Sequence, residues 1–144
     1  MLIESDLFIA YMKKDDWLKP VAKEIFEAIS AKRLQDIQAS TGIINELYYV
    51  FSDIAPIETI LGNAAKITTI DNIKYIDPTP EILLSALEIM ASYGLKSVFD
   101  AIYAATALSP HVPDHTIIST DLAYDKILGL ERIDPRDLTE TGSS

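Results

Sequence analysis

Five carboxylates stand where acids gain nothing from the apolar sequence around them. Two lie in the opening stretch "LIESDLFIA" and the others interrupt or follow apolar segments; they are Glu4, Asp6, Glu46, Asp100 and Asp121. Gathering such groups in a partly desolvated cleft costs on the order of several kcal/mol for each unpaired charge. Sites made only of carboxylate oxygens suit Mg²⁺ or Mn²⁺, ions that commonly serve phosphate chemistry. The five acids therefore predict a metal centre.

Helical spacing indicates that two of these acids do not face solvent. Glu46 shares one helix face with Ile43 and Val50, whose other neighbours are also largely apolar. Asp100 is the only charge between positions 97 and 108, in a segment with small residues on the same side. Such small residues allow a close approach to a sheet, so we expect both carboxylates to be drawn inward.

Each acid also has a purely structural alternative. Asp6 is the natural cap of the helix that follows it, and Asp121 could cap the segment "LAYDKI". Glu46 could be an acid favoured by a helix dipole. A capping role is less favoured for Asp100, because its helix is predicted to begin a few residues earlier.

The elements that must position these acids alternate along the chain. Strands are predicted at residues 2–4, "LQDIQAS", "IDNIKYIDP", "HTIIST" and, as a possible fifth, "LERID". Helices are predicted at about 7–12 and 17–32, and after a cap at Ser40 or Thr41. Pro56 is predicted to end that helix and to begin the next, at 57–66. Further helices are predicted from Pro80 to Tyr93 before Gly94, at 97–108, and briefly at "DLAYDKI". This alternation predicts an α/β fold with parallel strands and helices on both faces, whose ligand site lies at the carboxyl ends of the strands.

Composition limits the class of protein. The chain has 144 residues, a net charge of −10 and no cysteine. We expect one domain at 1–138 and a disordered tail at 139–144. The charge argues against a broad basic nucleic-acid surface, and the lack of cysteine argues against a tight zinc site. No signal sequence or long apolar run is evident, so a cytoplasmic protein without a membrane segment is expected.

Four motifs in order resemble those of the PIN-domain family, which includes the VapC-type toxin ribonucleases. They are "LIESDLFIA", "INELYYVF", "GLKSVFDAIYAATAL" and "TIISTDLAYDKILGLERIDP", and together they span almost the whole chain. The resemblance implies a three-layer α/β/α sandwich with a mainly parallel sheet. It also implies RNA as substrate, one or two Mg²⁺ or Mn²⁺ ions, a small antitoxin protein as partner, and a homodimer.

The same resemblance assigns roles to individual residues. Glu46, Asp100 and Asp121 fall on acids of the family, and Ser119 falls on a position that is often threonine or serine. In the first motif Glu4 takes the place of the usual aspartate, and Asp6 takes a position that is usually polar. The implied catalytic residues are Asp6, Glu46, Asp100 and Asp121, and the metal ligands are the same four with Glu4. Which of Glu4 and Asp6 contacts the metal is left open.

Two other functions remain open. A phospho-acceptor signalling domain also places acids after the first strand and an aspartate, here Asp77, after the third. It would require a lysine at the end of the last strand, which is absent from "LERIDP", and it gives Glu46 and Asp100 no role. The other alternative is a PIN-like scaffold that binds a partner without catalysis. Lys13, Lys14 and Lys19 could line a phosphate path or form an ordinary solvated helix face.

Overall fold

The computed structural model describes residues 1–140, over which five strands alternate with six helices. In chain order the elements are β1 (Leu2–Ile3), α1 (Ser5–Met12), α2 (Lys19–Ser30), β2 (Ile37–Ser40), α3 (Gly42–Phe51), α4 (Ile57–Thr68), β3 (Ile73–Ile76), α5 (Pro80–Tyr93), α6 (Val98–Ala107), β4 (Thr116–Ile118) and β5 (Glu131–Ile133). Two 3₁₀ helices, Leu122–Lys126 and Pro135–Leu138, flank β5. The predicted tail lies partly outside the described residues, and the domain boundary at 138 stays a prediction.

All five strands pair in parallel, in the order β3-β2-β1-β4-β5. The chain moves outward from β1 through β2 to β3, then crosses back past β1 to β4 and β5. Because crossovers between parallel strands are right-handed, this reversal places the two sets of helices on opposite faces of the sheet. The result is the three-layer α/β/α sandwich that the sequence predicted.

The reversal of strand order lies between β1 and β4, in the middle of the sheet. Leu2 pairs with Gln38 on one side and with Ile117 on the other, and both Leu2 and Ile3 are fully buried. A point where the strand order reverses opens a crevice at the carboxyl ends of the strands. The residues that directly follow β1 and β4 therefore line this crevice.

Helix α6 brings a further segment to the same edge of the sheet. It packs against β1 and β4, and the buried small residues Ala101 and Ala104 permit this close contact. Ser97 caps the helix, since its hydroxyl accepts a hydrogen bond from the Asp100 amide at 3.3 Å. Because α6 runs back toward the start of β4, its first turn lies at the carboxyl edge.

Several helix boundaries differ from the sequence prediction, among them the starts of α1 and α2. Helix α2 begins at Lys19 instead of about Trp17, because the Asp16 side chain accepts the Leu18 amide at 2.9 Å and forms a turn there. Helix α3 ends at Phe51, well before Pro56, which forms the cap of α4. Gly94 ends α5 in a left-handed conformation with φ of 68°, as its position predicted.

None of the helices within residues 1–140 is by itself long and apolar enough to span a membrane. The pair α5 and α6 meets the length and composition criteria only when taken together, and it is bent by 111° at the break.

Candidate functional site

Glu4 directly follows β1 and is hydrogen-bonded to residues at the end of β4. Its amide donates to the Ile118 carbonyl at 3.1 Å, and its carboxylate accepts from the Ser5 hydroxyl at 2.8 Å and from the Ser119 hydroxyl at 3.0 Å. It also accepts the Asp6 amide at 3.3 Å, so Glu4 is the N-cap of α1. The assignment of this cap to Asp6 was therefore wrong: the strand ends at Ile3, which puts Glu4 at the capping position.

Asp6 faces the end of β4 instead. Its Oδ2 accepts both the amide and the hydroxyl of Thr120, each at 2.9 Å. Its Oδ1 is shielded from solvent and has no hydrogen-bond partner among the described residues. A buried carboxylate oxygen without a regular hydrogen bond is unfavourable, so this oxygen is free to accept a further ligand.

Glu46 is partly buried and is held by a tyrosine from α6. The Tyr103 hydroxyl donates to Glu46 Oε1 at 2.6 Å, and Tyr103 itself is fully buried. Glu46 lies beyond the first turn of α3, which contains no acid, so the helix-dipole alternative does not explain it. Burial, together with the charge of Glu46, raises the pKa of the Tyr103 hydroxyl, which keeps that hydroxyl protonated as a donor.

The pKa of Asp100 shows most directly that the acids influence one another. Burial raises its pKa from the ordinary value of 3.8 to about 6, and the charges of Asp121, Glu46 and Asp6 add to the rise. The Tyr124 hydroxyl opposes part of that rise from close by, although it forms no hydrogen bond of regular geometry. Carboxylates from α3, α6, α1 and the end of β4 therefore act on one another at a single place.

Asp121 is the most exposed acid of the set, and its structural alternative is realised. Its Oδ1 accepts the Ala123 amide at 2.9 Å and caps the 3₁₀ helix Leu122–Lys126. Its own amide donates to the Ser119 hydroxyl at 3.0 Å. The same carboxylate also raises the pKa of Asp100, so the capping role and membership of the acid cluster coexist.

The surroundings of Glu4 and Asp6 disfavour the ionised form of both carboxyl groups. Burial raises the pKa of Glu4 well above its ordinary value, and the charges of Asp6 and Asp100 raise it further. Burial also raises the pKa of Asp6, while interactions with Thr120, the Glu4 carboxyl and the Leu7 amide offset part of the effect. Within residues 1–140, neither of these acids nor Glu46, Asp100 or Asp121 belongs to an ion pair. A cation near them would relieve this repulsion.

The donor atoms fit a hard divalent cation, but they do not form a finished cage. All five side chains offer carboxylate oxygens, which suit Mg²⁺ or Mn²⁺. Two buried oxygens without a regular hydrogen bond, Asp6 Oδ1 and the Tyr124 hydroxyl, both lie within this cluster. No group of three or more His, Cys, Asp or Glu side chains in the described part of the chain is already close enough to hold a metal ion. Side-chain rotation would be needed to complete the coordination.

Several supporting residues were not recognised from the sequence. Tyr103 is not among the residues that the sequence assigns to the site, yet its position one turn after Asp100 could have signalled the contact with Glu46. Thr120, next to the predicted Ser119, holds Asp6. No feature of the sequence near Arg132 on β5 indicated a role for it. Its guanidinium donates one hydrogen bond to the Ser119 carbonyl at 3.0 Å and two to the Asp125 carboxylate at 2.8 and 3.2 Å.

Two other sequence candidates lie away from the acid cluster. Asp77 follows the edge strand β3 and accepts from the Thr41 hydroxyl at 2.8 Å, and β2 separates it from Glu4. This position disfavours a phospho-acceptor role in which the two would act together. Lys19 donates to the Lys13 carbonyl at 2.6 Å, so its ammonium is engaged at the start of α2.

Comparison with solved structures finds the same fold in three structures of toxins and toxin–antitoxin complexes. VapBC2 of Rickettsia felis, bound to a DNA fragment from their promoter, matches with a TM-score of 0.66 at 15% identity over 92% of this chain and 96% of that chain. VapC20 of Mycobacterium tuberculosis, a toxin that cleaves the Sarcin-Ricin loop, gives 0.68 at 14% identity over 86% and 92%. A toxin-antitoxin complex of Klebsiella pneumoniae gives 0.61 at 16% identity over 93% and 96%.

Comparison of the sequence itself gives two results. No curated protein sequence matches the chain. The family profile described as PIN domain matches residues 1–128, a segment that contains all five acids.

Proposed function

The chain belongs to the PIN-domain family, and from this we propose that it is an endoribonuclease that uses Mg²⁺ or Mn²⁺ to hydrolyse phosphodiester bonds. The observation that carries the proposal is Asp100, whose pKa is raised to about 6 by burial and by three other acids that reach it from separate elements. Perturbed acids that converge at the point where strand order reverses are typical of a reaction centre.

We assign the cation to the acid cluster as a whole. Glu46, Asp100 and Asp121, together with the Glu4 and Asp6 pair, supply the carboxylates that would hold it. The chemistry that such an ion provides is neutralisation of phosphate charge and activation of water near neutral pH. One carboxylate of the cluster would accept a proton from the attacking water.

The remaining contacts keep the acids in place during that reaction. Tyr103 fixes Glu46 through a hydrogen bond of 2.6 Å, and Thr120 fixes Asp6 through two donors. Arg132 holds the segment that carries Asp121 through hydrogen bonds to the Ser119 carbonyl and the Asp125 carboxylate. These supports limit the movement of the carboxylates when a charged substrate approaches.

We further propose a cytoplasmic toxin that pairs with a small antitoxin and forms a homodimer. Two of the three similar structures are toxin–antitoxin complexes. The chain exposes large apolar side chains on α3, α4 and the turn between them, which a protein partner would cover: Tyr48, Tyr49, Ile54, Ile57 and Leu61.

The decisive experiment is cleavage of single-stranded RNA by the native protein and by Asp100→Asn. We expect cleavage with Mn²⁺ or Mg²⁺, no cleavage in EDTA, and loss of cleavage in the variant with its fold intact. Asp71→Asn is the matched control, because Asp71 is exposed before β3 at the opposite edge of the sheet. Equal cleavage by the native protein and Asp100→Asn would contradict the assignment.

A second candidate function is a binding scaffold that has lost catalysis. The absence of a preformed group of three metal-binding side chains within residues 1–140 favours it. It predicts that neither Mn²⁺ nor Mg²⁺ produces RNA cleavage above that of Asp100→Asn.

A further inference from the structure

The two acids of the opening motif differ in how their carboxylate oxygens are satisfied. Both oxygens of Glu4 already accept hydrogen bonds: Oε1 from the Ser5 hydroxyl, and Oε2 from the Asp6 amide and the Ser119 hydroxyl. Only 4% of Glu4 is exposed. The Glu4 carboxylate therefore links the start of α1 to the end of β4.

Asp6 is satisfied on one oxygen only. Thr120 supplies two donors to Oδ2, and these fix the direction of the carboxylate. Oδ1 is shielded from water and accepts no hydrogen bond of regular geometry in the described part of the chain, although the Glu4 carboxyl and the Leu7 amide lie close enough to lower the pKa of Asp6. The buried Tyr124 hydroxyl also forms no hydrogen bond of regular geometry, and it interacts with Asp100. Two buried oxygens without a regular hydrogen bond in one acid cluster favour a further ligand there, since buried polar atoms are rarely left unpaired.

We infer that Asp6, through Oδ1, is the member of this pair that binds the divalent cation, and that Glu4 is a positioning residue. The inference rests on the cation site of the proposed function and specifies how this chain builds it. Glu4 stands where the resemblance places the usual aspartate, but its longer side chain is used to cap α1 and to bind Ser119. In this chain the metal ligand is instead Asp6, two residues later, whose carboxylate is oriented by Thr120.

The hydrogen bonds of Asp6 make Asp6→Asn an informative substitution. The Thr120 amide can only donate, so it selects the oxygen of an asparagine side chain and turns the NH₂ group to the place of Oδ1. The variant thus presents a donor where the cation requires an acceptor. Glu4→Gln is the matched control, because it removes the same carboxylate from the neighbouring position and keeps the shape of the side chain.

Calorimetric titration of the metal-free proteins with Mn²⁺, without RNA, compares the two variants. We expect Asp6→Asn to lose at least about tenfold more affinity than Glu4→Gln, whose smaller loss reflects disturbed positioning. Circular dichroism in EDTA verifies that both variants are folded. An equal loss in the two variants, a larger loss in Glu4→Gln, or a native protein that binds no Mn²⁺ would overturn the inference.

A gain of binding tests the same point without relying on lost affinity. The chain has no cysteine, so Asp6→Cys and Glu4→Cys each carry a single thiol. Thiolate ligands favour soft metals, so Cd²⁺ should produce an ultraviolet thiolate-to-metal absorption band with Asp6→Cys and none with Glu4→Cys. A band with Glu4→Cys, or with neither protein, would contradict the assignment of Asp6.

These measurements separate this inference from the proposed function. A native protein that binds Mn²⁺ with the expected ranking of variants but cuts no RNA would refute the ribonuclease and leave the assignment of Asp6 intact. A protein that cuts RNA with Mn²⁺ while Glu4→Gln shows the larger loss of affinity would do the reverse.

Discussion

Asp100→Asn should make the metal-free protein more stable at neutral pH. The carboxylate of Asp100 is partly buried and feels the charges of Asp121, Glu46 and Asp6, which together with burial disfavour its ionisation. Asparagine keeps the shape of the side chain and removes one charge from this repulsion. A substitution that abolishes the proposed activity is therefore expected to relieve strain in the fold.

The size of the effect follows from the pKa of Asp100. A rise from 3.8 to about 6 corresponds to roughly 3 kcal/mol if the full shift is expressed in stability. Because this side chain is only partly buried, solvent screens a large part of the interaction. We therefore expect Asp100→Asn to raise the free energy of unfolding by about 1–2 kcal/mol in EDTA at pH 7.

The effect must disappear in acid. A carboxyl group whose pKa is raised by folding adds its full share of stability below its ordinary pKa of 3.8, where it is protonated in both states. That stability is lost as the pH rises through about 6. The advantage of Asp100→Asn should therefore grow between about pH 4 and pH 7 and be negligible at the lower end.

Urea unfolding of both proteins in EDTA across this pH range measures the difference. Adding Mn²⁺ at a hundredfold excess over its dissociation constant should stabilise the native protein by about 2.7 kcal/mol, and the variant distinctly less. A variant that is less stable than the native protein at pH 7, or whose advantage does not change with pH, would refute the electrostatic account. An equal response of both proteins to Mn²⁺ would refute the role of Asp100 in binding it.

Two further predictions concern the groups around the acids, each measured by urea unfolding in EDTA. Tyr103→Phe removes the hydrogen bond to Glu46 and should lower the free energy of unfolding by about 1–2 kcal/mol, whereas Tyr124→Phe removes a hydroxyl without a regular hydrogen bond and should cause a smaller loss. Equal losses in these two variants would contradict that distinction. Arg132→Gln breaks the two-bond pair with Asp125 and should lower the free energy of unfolding by about 1 kcal/mol, less in 1 M salt. A loss that does not change with salt would argue against an ionic contribution.

The fold was predictable because its signals are local. Hydrophobic periods, Pro80 and Gly94 at the ends of α5, and the alternation of strand and helix lengths are all properties of short segments. Parallel pairing then follows from the crossover helices. The error at the start of α1 is also local: Asp is usually the better N-cap, but the actual end of β1 at Ile3 gave the position to Glu4.

The candidate site was predictable only in its acids. A carboxylate in an apolar segment is visible in the sequence, and the acids expected to converge do influence the pKa of Asp100. The supports of those acids are not visible, because Tyr103 meets Glu46 across 57 positions and Thr120 meets Asp6 across 114. Such contacts depend on tertiary packing and leave no periodic pattern in the sequence.

The hydrogen bonds between Asp6 and Thr120 also determine when the acid site can form while the chain is being synthesised. Both donors to the Oδ2 of Asp6 come from Thr120, a residue that is made 114 positions later. Until the segment that carries β4 and Thr120 has been made, β1 lacks one of its two neighbouring strands, and Glu4 and Asp6 lack the donors of Ser119 and Thr120. The ribonuclease that we propose is therefore expected to be inactive on a nascent chain until that segment has been made.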